Sequence, residues 1–209
     1  MIDLVVIAKE PLPGRAKTRL HPPLSLEEAA ELAAAAIDDT LAAVADVPAA
    51  RRILLFDGAR LPPRAAGYQV VPQSSGELDA RLGAIFDELT APCVLIGMDT
   101  PQVTAEHLAP AFDGWPDDVD AWFGAATDGG YWALGMRNPR GDLIRGVPMS
   151  RSDTGRHQLA RLRGAGLRVG MLPTLTDVDT IDDAVSVART APDTAFARRL
   201  SELLASRDA

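Results

Sequence analysis

The chain has 209 residues, with 21 Lys and Arg against 29 Asp and Glu, for a formal charge of -8. That length suits one α/β domain spanning 1–209, and the acidic balance argues against any general affinity for nucleic acid or anionic membrane. A hydrophobic content of 47% and a charged content of 24% exclude a disordered tail and supply enough apolar residues for a core.

Strand-length apolar runs alternate with segments of helical period, which predicts a mostly parallel central sheet with helices on its faces. Ile2 to Ala8 reads as the first strand. After a turn-rich stretch, Ser25-Leu26-Glu27-Glu28 has the form of a capping box, opening an alanine-rich helix to about Val44. Arg52 to Phe56 and Tyr68 to Val71 follow as strands, and Leu78 to Leu89 as a helix of period 3.6. Val94 to Met98 is a fully apolar strand that stops at Asp99-Thr100-Pro101, where proline limits further ladder pairing. A helix over 104–112 leads to a strand at Ala121 to Ala125, the turn Asp128-Gly129-Gly130, and a strand from Tyr131 to Met136. Ser152 to Arg163 reads as a helix, Leu167 to Leu172 as a strand, and two helices from about Thr180 and Asp193 close the chain.

Cys93 is the only cysteine, so an internal disulfide framework and a cysteine-based zinc cluster are excluded and a cytoplasmic setting is expected. The amino terminus carries no basic leader, and no run approaches the roughly 20 apolar residues that span a bilayer. His21, His107 and His157 stand at no ligand spacing. A metal would rest on carboxylates, which favours Mg²⁺ or Mn²⁺.

Four constellations carry the candidate chemistry. The stretch Ala8-Lys9-Glu10-Pro11-Leu12-Pro13-Gly14-Arg15-Ala16-Lys17-Thr18-Arg19-Leu20 follows the first strand and holds four of the 21 basic residues. Prolines stiffen it, Gly14 allows close backbone approach, and Lys9, Arg15, Lys17 and Arg19 offer donors to anionic oxygens, as a phosphate cradle requires, although a solvated basic turn paired with nearby carboxylates would also explain them. It is neither a Walker loop nor a dinucleotide fingerprint. Asp99 ends a buried strand, where ligands of open α/β sheets bind, and suits a divalent ion shared with substrate phosphates, although an Asx turn would also explain it. In Asp128-Gly129-Gly130-Tyr131 the glycines either free backbone for a ligand or simply make a hairpin turn, and Tyr131 and Trp132 point to opposite faces. In Asp177-Val178-Asp179-Thr180-Ile181-Asp182-Asp183, Thr180 is the expected helix cap with Asp182 and Asp183 at the positive helix end. Asp177 and Asp179 precede that cap and are candidates to reach the ion of Asp99 or to orient an acceptor. Gln73 and Gly76 are candidates for a base edge, or for a plain surface turn.

With these motifs in order, the chain resembles the small bacterial glycosyltransferases of nucleotide-diphospho-sugar transferase fold, a family described as a domain of unknown function and as arsenosugar-biosynthesis-type. The likeness rests on Pro-Gly-Arg-x-Lys-Thr-Arg-Leu at 13–20, Gly76-Glu77-Leu78, Ile96 to Pro101, Asp128 to Tyr131, and Asp177 to Thr180. It implies a Rossmann-like three-layer α/β/α sandwich with a nucleotide at the carboxyl edge of the sheet. It carries the metal-binding aspartate onto Asp99 and the phosphate loop onto Gly14, Arg15, Lys17 and Arg19. Thr100 stands where the family commonly has cysteine or serine, and Thr127 where a more polar or acidic residue is usual. The chain is similar, more weakly, to phospholactate and molybdenum-cofactor guanylyltransferases.

The expected activity is Mg²⁺- or Mn²⁺-dependent transfer from a nucleotide-diphospho-sugar to a small-molecule acceptor by a monomer or homodimer. The alternative is nucleotidyl transfer from a triphosphate to a phosphorylated small molecule, and a third class is a non-catalytic nucleotide sensor. Ala8, Lys9, Gly14, Arg15, Lys17, Arg19, Gln73 and Gly76 are expected at the nucleotide, Asp99 and Asp179 at the metal, and Gly129, Gly130, Tyr131 and Asp177 at the acceptor. Asp128 and Lys17 are the candidate catalytic groups.

Overall fold

The computed structural model describes residues 1–207. A seven-stranded sheet has the order β3-β2-β1-β4-β6-β5-β7. Its strands are β1 (Asp3–Lys9), β2 (Arg52–Asp57), β3 (Gln69–Pro72), β4 (Cys93–Gly97), β5 (Ala121–Ala126), β6 (Tyr131–Met136) and β7 (Val169–Leu175). The β1–β2, β1–β4, β2–β3 and β5–β7 pairs are parallel, and β6 runs antiparallel between β4 and β5. The helices are α1 (Leu26–Ala43), α2 (Leu78–Glu88), α3 (Ala105–Phe112), α4 (Thr154–Gly164), α5 (Ile181–Thr190) and α6 (Ala195–Ala205), with short 3-10 turns at Thr18–Leu20, Pro63–Ala65 and Gly141–Leu143.

Alternation along β1 builds the layers. Leu4, Val6 and Ala8 face a core shared with Ile37 and Leu41 of α1 and with Leu108, Ala111 and Phe112 of α3. Val5 faces the opposite core, with Leu82, Ile85 and Phe86 of α2 and Leu162 of α4. Covered on both faces, the central strands read as unbroken apolar runs, and each buried Leu or Ile contributes about 1.5–3 kcal/mol. The far side of α1, through Ala29, Leu32 and Ala36, packs on Val187 of α5 and on Phe196 and Leu200 of α6. The α1 cap is the reciprocal one expected: Glu28 N–H donates to Ser25 Oγ at 3.2 Å and Ser25 N–H to the Glu28 carboxylate at 2.6 Å.

The two edge strands depart from the expected limits. The sequence predicts the last strand to end at Leu172, before Pro173, and the third at Val71, before Pro72, yet β7 continues through Pro173 to Leu175 and β3 takes in Pro72. Each strand has a neighbour on one side only, so a missing N–H on the open side breaks no ladder bond. Among the described residues no helix is long and apolar enough to cross a membrane.

Candidate functional site

The chain leaves the carboxyl end of β1 at Lys9 and folds into a tight loop, in which the N–H groups of Arg15 and Ala16 donate to the Leu12 carbonyl at 3.0 and 3.1 Å. Gly14, at φ 72°, makes the turn. Ala16 and Leu20 are sunk in the core and fix the loop at both ends. Between them Lys17 adopts a left-handed backbone, φ 48° and ψ 39°, uncommon for a side chain of this kind. The consequence is an inward-pointing lysine whose side chain is only 7% exposed.

Lys17 Nζ lies 2.8 Å from Asp99 Oδ1 and 3.0 Å from Asp179 Oδ1. The second contact is a well-directed hydrogen bond. The first is an ion pair at an oblique angle, so Asp99 Oδ1 is buried without a directed donor. Arg19 pairs with the other oxygen of Asp179. The carboxylates come from the ends of two strands that are not adjacent in the sheet: Asp99 follows β4, and Asp179 follows β7 just before the Thr180 cap of α5. Thr180 and Asp183 form a reciprocal capping box, so Asp183 serves the helix. Thr100 is fully buried beside Asp99, and the Thr127 hydroxyl reaches that of Thr176 at 3.2 Å.

Charge is concentrated here. Burial works against the Lys17 ammonium, but the Asp99 and Asp179 carboxylates outweigh it and hold its pKa above the ordinary lysine value. Asp177, half-buried, is pushed up to about 7 by burial and then by the negative charges of Asp99 and Asp128. A cleft of about 220 Å³ opens over this cluster, lined by Lys9, Arg15, Lys17, Thr18, Arg19, Met98, Asp99 and Asp179. Thr18 and Met98 were not singled out from sequence. Met98 reads as the last core residue of an apolar strand, but its Sδ accepts the Lys9 N–H at 3.2 Å.

The cleft fits a hard divalent cation in one specific manner. Its donors are carboxylate oxygens: Asp99 Oδ1 is held by the Lys17 ammonium at 2.8 Å without a directed hydrogen bond, and Asp99 Oδ2 is uncommitted. Among the described residues no three His, Cys, Asp or Glu side chains converge as a ready cage. That corresponds to the mode in which one or two carboxylates share an ion with ligand phosphates.

Other expected site residues fall elsewhere. Ala8 is buried at the end of β1, and its carbonyl accepts from Gln73 Nε2 at 2.8 Å. The same amide nitrogen donates to the Leu55 carbonyl at 3.3 Å, while Gln73 Oε1 accepts from Arg81 at 2.7 Å. The amide expected to read a base edge is therefore engaged in pinning β1 and β2 to α2. Gly76 lies exposed ahead of α2 at φ 108°.

Gly129 and Gly130 form the β5–β6 turn, and their setting is structural. A Cβ on Gly129 would stand 1.9 Å from the Ser152 carbonyl oxygen, and Gly129 O accepts the Gly155 N–H of α4 at 2.9 Å. Asp128 closes the turn by accepting the Gly130 N–H at 2.8 Å. Tyr131, expected at the acceptor, is half-buried. Its ring packs with Phe123, centroids 5.5 Å apart, in the core on the α2 side, and burial followed by the Asp79 charge raises its phenol pKa. Trp132 is buried on the opposite face and donates to the Pro173 carbonyl at 2.9 Å. Neither ring lines this cleft.

Comparison with solved structures agrees with the architecture. A Desulfovibrio desulfuricans G20 protein, provisionally named a nucleotide-diphospho-sugar transferase, superposes with a TM-score of 0.81 at 28% identity, covering 99% of this chain and 95% of that one. A nucleotidyl transferase from Methanothermobacter gives 0.59 at 16% identity over 93% and 99% of the two chains. Rv0371C of Mycobacterium tuberculosis H37Rv, solved with manganese, gives 0.53 at 23% identity over 90% and 97%. The fold is that of the nucleotide-diphospho-sugar transferases. No curated protein matches in sequence. The family model for uncharacterized proteins conserved in bacteria, DUF2064, matches residues 30–151, a stretch that contains Asp99 and Asp128 but neither Lys17 nor Asp179. That match spans more than half of the 209 residues, and the chain belongs to the DUF2064 family.

Proposed function

We propose that the chain, acting as one domain over 1–209, is a metal-dependent glycosyltransferase that moves a sugar from a nucleotide diphosphate to a small-molecule acceptor. The observation that carries this reading is the convergence of Lys17 on Asp99 and Asp179 beneath a cleft rimmed by Arg15, Arg19 and Lys9. Cations and carboxylates in one cleft match a diphosphate held with a divalent ion. The transferase-named Desulfovibrio relative and the manganese bound by Rv0371C support it.

Asp99 and Asp179 would hold Mg²⁺ or Mn²⁺. Bound there, the ion would neutralise negative charge on the leaving diphosphate. Arg15 and Lys9, exposed at the rim, would meet the outer phosphate oxygens, and Lys17 the inner ones. Catalysis would then be mainly positioning and electrostatic stabilisation of the leaving group. Asp128 is the candidate for orienting the acceptor hydroxyl, with Asp177 beside it. Gly129 and Gly130 shape that end of the site through their contact with α4.

Calorimetric titration with UDP-, GDP-, CDP- and ADP-sugars, with and without Mn²⁺, tests the reading, followed by product analysis in an acceptor panel. Mn²⁺-dependent binding and release of a free nucleoside diphosphate are expected. Release of pyrophosphate from a triphosphate would reassign the chain to nucleotidyl transfer. Tight binding without turnover would leave a sensor.

A further inference from the structure

The geometry points to Lys17 as the resident counter-cation of the Asp99–Asp179 pair, a side chain that must withdraw from both carboxylates before a divalent cation can bind them. The inference rests on the metal-dependent reading above and deepens it by tying cation entry to phosphate binding through one side chain.

Asp99 and Asp179 together offer four carboxylate oxygens. Lys17 Nζ takes Asp99 Oδ1 at 2.8 Å and Asp179 Oδ1 at 3.0 Å, and Arg19 takes Asp179 Oδ2. With Lys17 in place, a divalent ion would find one uncommitted oxygen, Asp99 Oδ2, with an ammonium next to it. Removing Arg19 would free a single oxygen on Asp179. Removing Lys17 would free one on each aspartate, which is what bridging requires.

The arrangement also supplies a destination for the displaced ammonium. Lys17 hangs from a backbone pinned by buried Ala16 and Leu20, so its movement is confined to a flexible four-carbon stem. The cleft that this stem can sweep is the one rimmed by Arg15 and Lys9. A phosphate seated there gives the ammonium a new anionic partner while the carboxylates receive the ion. Ion and phosphate thus favour each other's binding, and linkage makes the effect reciprocal.

The test uses Mn²⁺ alone, in a buffer without phosphate or nucleotide, with affinity read by electron paramagnetic resonance of free Mn²⁺. Taking one positive charge from between two carboxylates should tighten Mn²⁺ binding to Lys17→Met by at least about tenfold over wild type. Lys17→Arg, which keeps the charge, should bind Mn²⁺ as weakly as wild type. Equal or weaker binding to Lys17→Met overturns the inference, as does a Lys17→Arg protein that binds as tightly as Lys17→Met.

Wild-type protein gives a second measurement that needs no variant to fold. Lys9 and Lys17 are the only lysines in the chain, so their side-chain ammonium signals in ¹⁵N NMR form a pair to be distinguished. The buried Lys17 signal should be protected from exchange and should lose that protection on saturation with Mg²⁺ and pyrophosphate. A protected signal that persists at saturation overturns the inference. Failure of every nucleotide to bind would sink the proposed function while leaving the Mn²⁺ comparison intact.

Discussion

Val178 donates its backbone N–H to the Asp99 carbonyl at 2.9 Å, joining the loop after β4 to the loop after β7. These two segments are 79 residues apart in sequence, and the sheet order sets β6 and β5 between their strands. Val178 itself is 1% exposed and packs with α1, α5 and α6. One small apolar anchor therefore holds Asp177 and Asp179 beside Asp99, and the acidic side of the cleft is a product of packing as much as of charge.

Asp99→Asn removes a charge from this cleft at a side chain that is 37% exposed, so the fold should tolerate it. The expected result is loss of Mn²⁺-dependent nucleotide-sugar binding and a fall of about 10²–10³ in turnover, the range seen when one preorganised electrostatic contact is removed. Calorimetry with and without Mn²⁺ checks it. Binding that keeps its metal dependence in Asp99→Asn would move the ion elsewhere.

Arg15 and Arg19 look equivalent in the basic loop, and the structure separates them. Arg19 is paired with Asp179, while Arg15 stands exposed on the rim and forms no ion pair among the described residues. Arg15→Ala should weaken nucleoside diphosphate binding about tenfold and flatten its salt dependence, with stability unchanged within about 0.5 kcal/mol. Titrations at two ionic strengths, paired with urea unfolding, read both quantities.

The layered fold and two of the three charged segments were legible because they follow local rules. An apolar strand that ends in Asp99-Thr100-Pro101 and a basic loop directly after β1 announce the carboxyl edge of a parallel sheet. The packing of Gln73 and Tyr131 is not legible in the sequence because their partners are remote. A glutamine after a short strand looks free until Ala8 and Leu55 are found against it, 65 and 18 residues away. Tyr131 looks free until the ring of Phe123 is found packed against it, centroids 5.5 Å apart. The left-handed backbone that turns Lys17 inward is likewise not legible, since nothing local specifies it.

Gln73→Ala should accordingly cost stability rather than base preference. It removes two donations to backbone carbonyls and one acceptor for Arg81, and leaves partly buried groups unsatisfied. A loss of about 1–3 kcal/mol in urea unfolding is expected, with the ranking of nucleotides unchanged. A changed ranking at unchanged stability would return Gln73 to the base site.

Two glycines with left-handed backbone should respond unequally to alanine. At Gly14 the added Cβ meets only Leu26 Cδ1 at 3.7 Å, an ordinary contact, so the cost is that of the backbone alone, about 1 kcal/mol. At Gly129 the same Cβ would collide with the Ser152 carbonyl, and the β5–β6 turn must part from α4. Gly129→Ala should lose at least about 2–3 kcal/mol. Denaturation midpoints of the two variants give the comparison directly, and equal losses would contradict the turn–helix contact.

Asp177 gives the pH dependence its sign. Its folded pKa, about 7, lies above the ordinary carboxyl value of 3.8. Between those values the folded protein keeps a proton that the unfolded chain has lost, so stability from this group is complete below about pH 4 and is lost as pH rises through about 7. Asp177→Asn stays neutral throughout and escapes the loss. Its advantage over wild type should therefore grow from pH 4 to pH 7 and level off above. Partial exposure of the carboxyl reduces the figure a full shift would give, to about 2 kcal/mol. Urea unfolding across pH 4–8 in a chelating buffer measures it, because an added divalent ion would itself stabilise the charged form. A gap between the two proteins that does not change across that range would mean that neither burial nor the charges of Asp99 and Asp128 raise the Asp177 carboxyl, and the acidic side of the cleft would have to be redrawn.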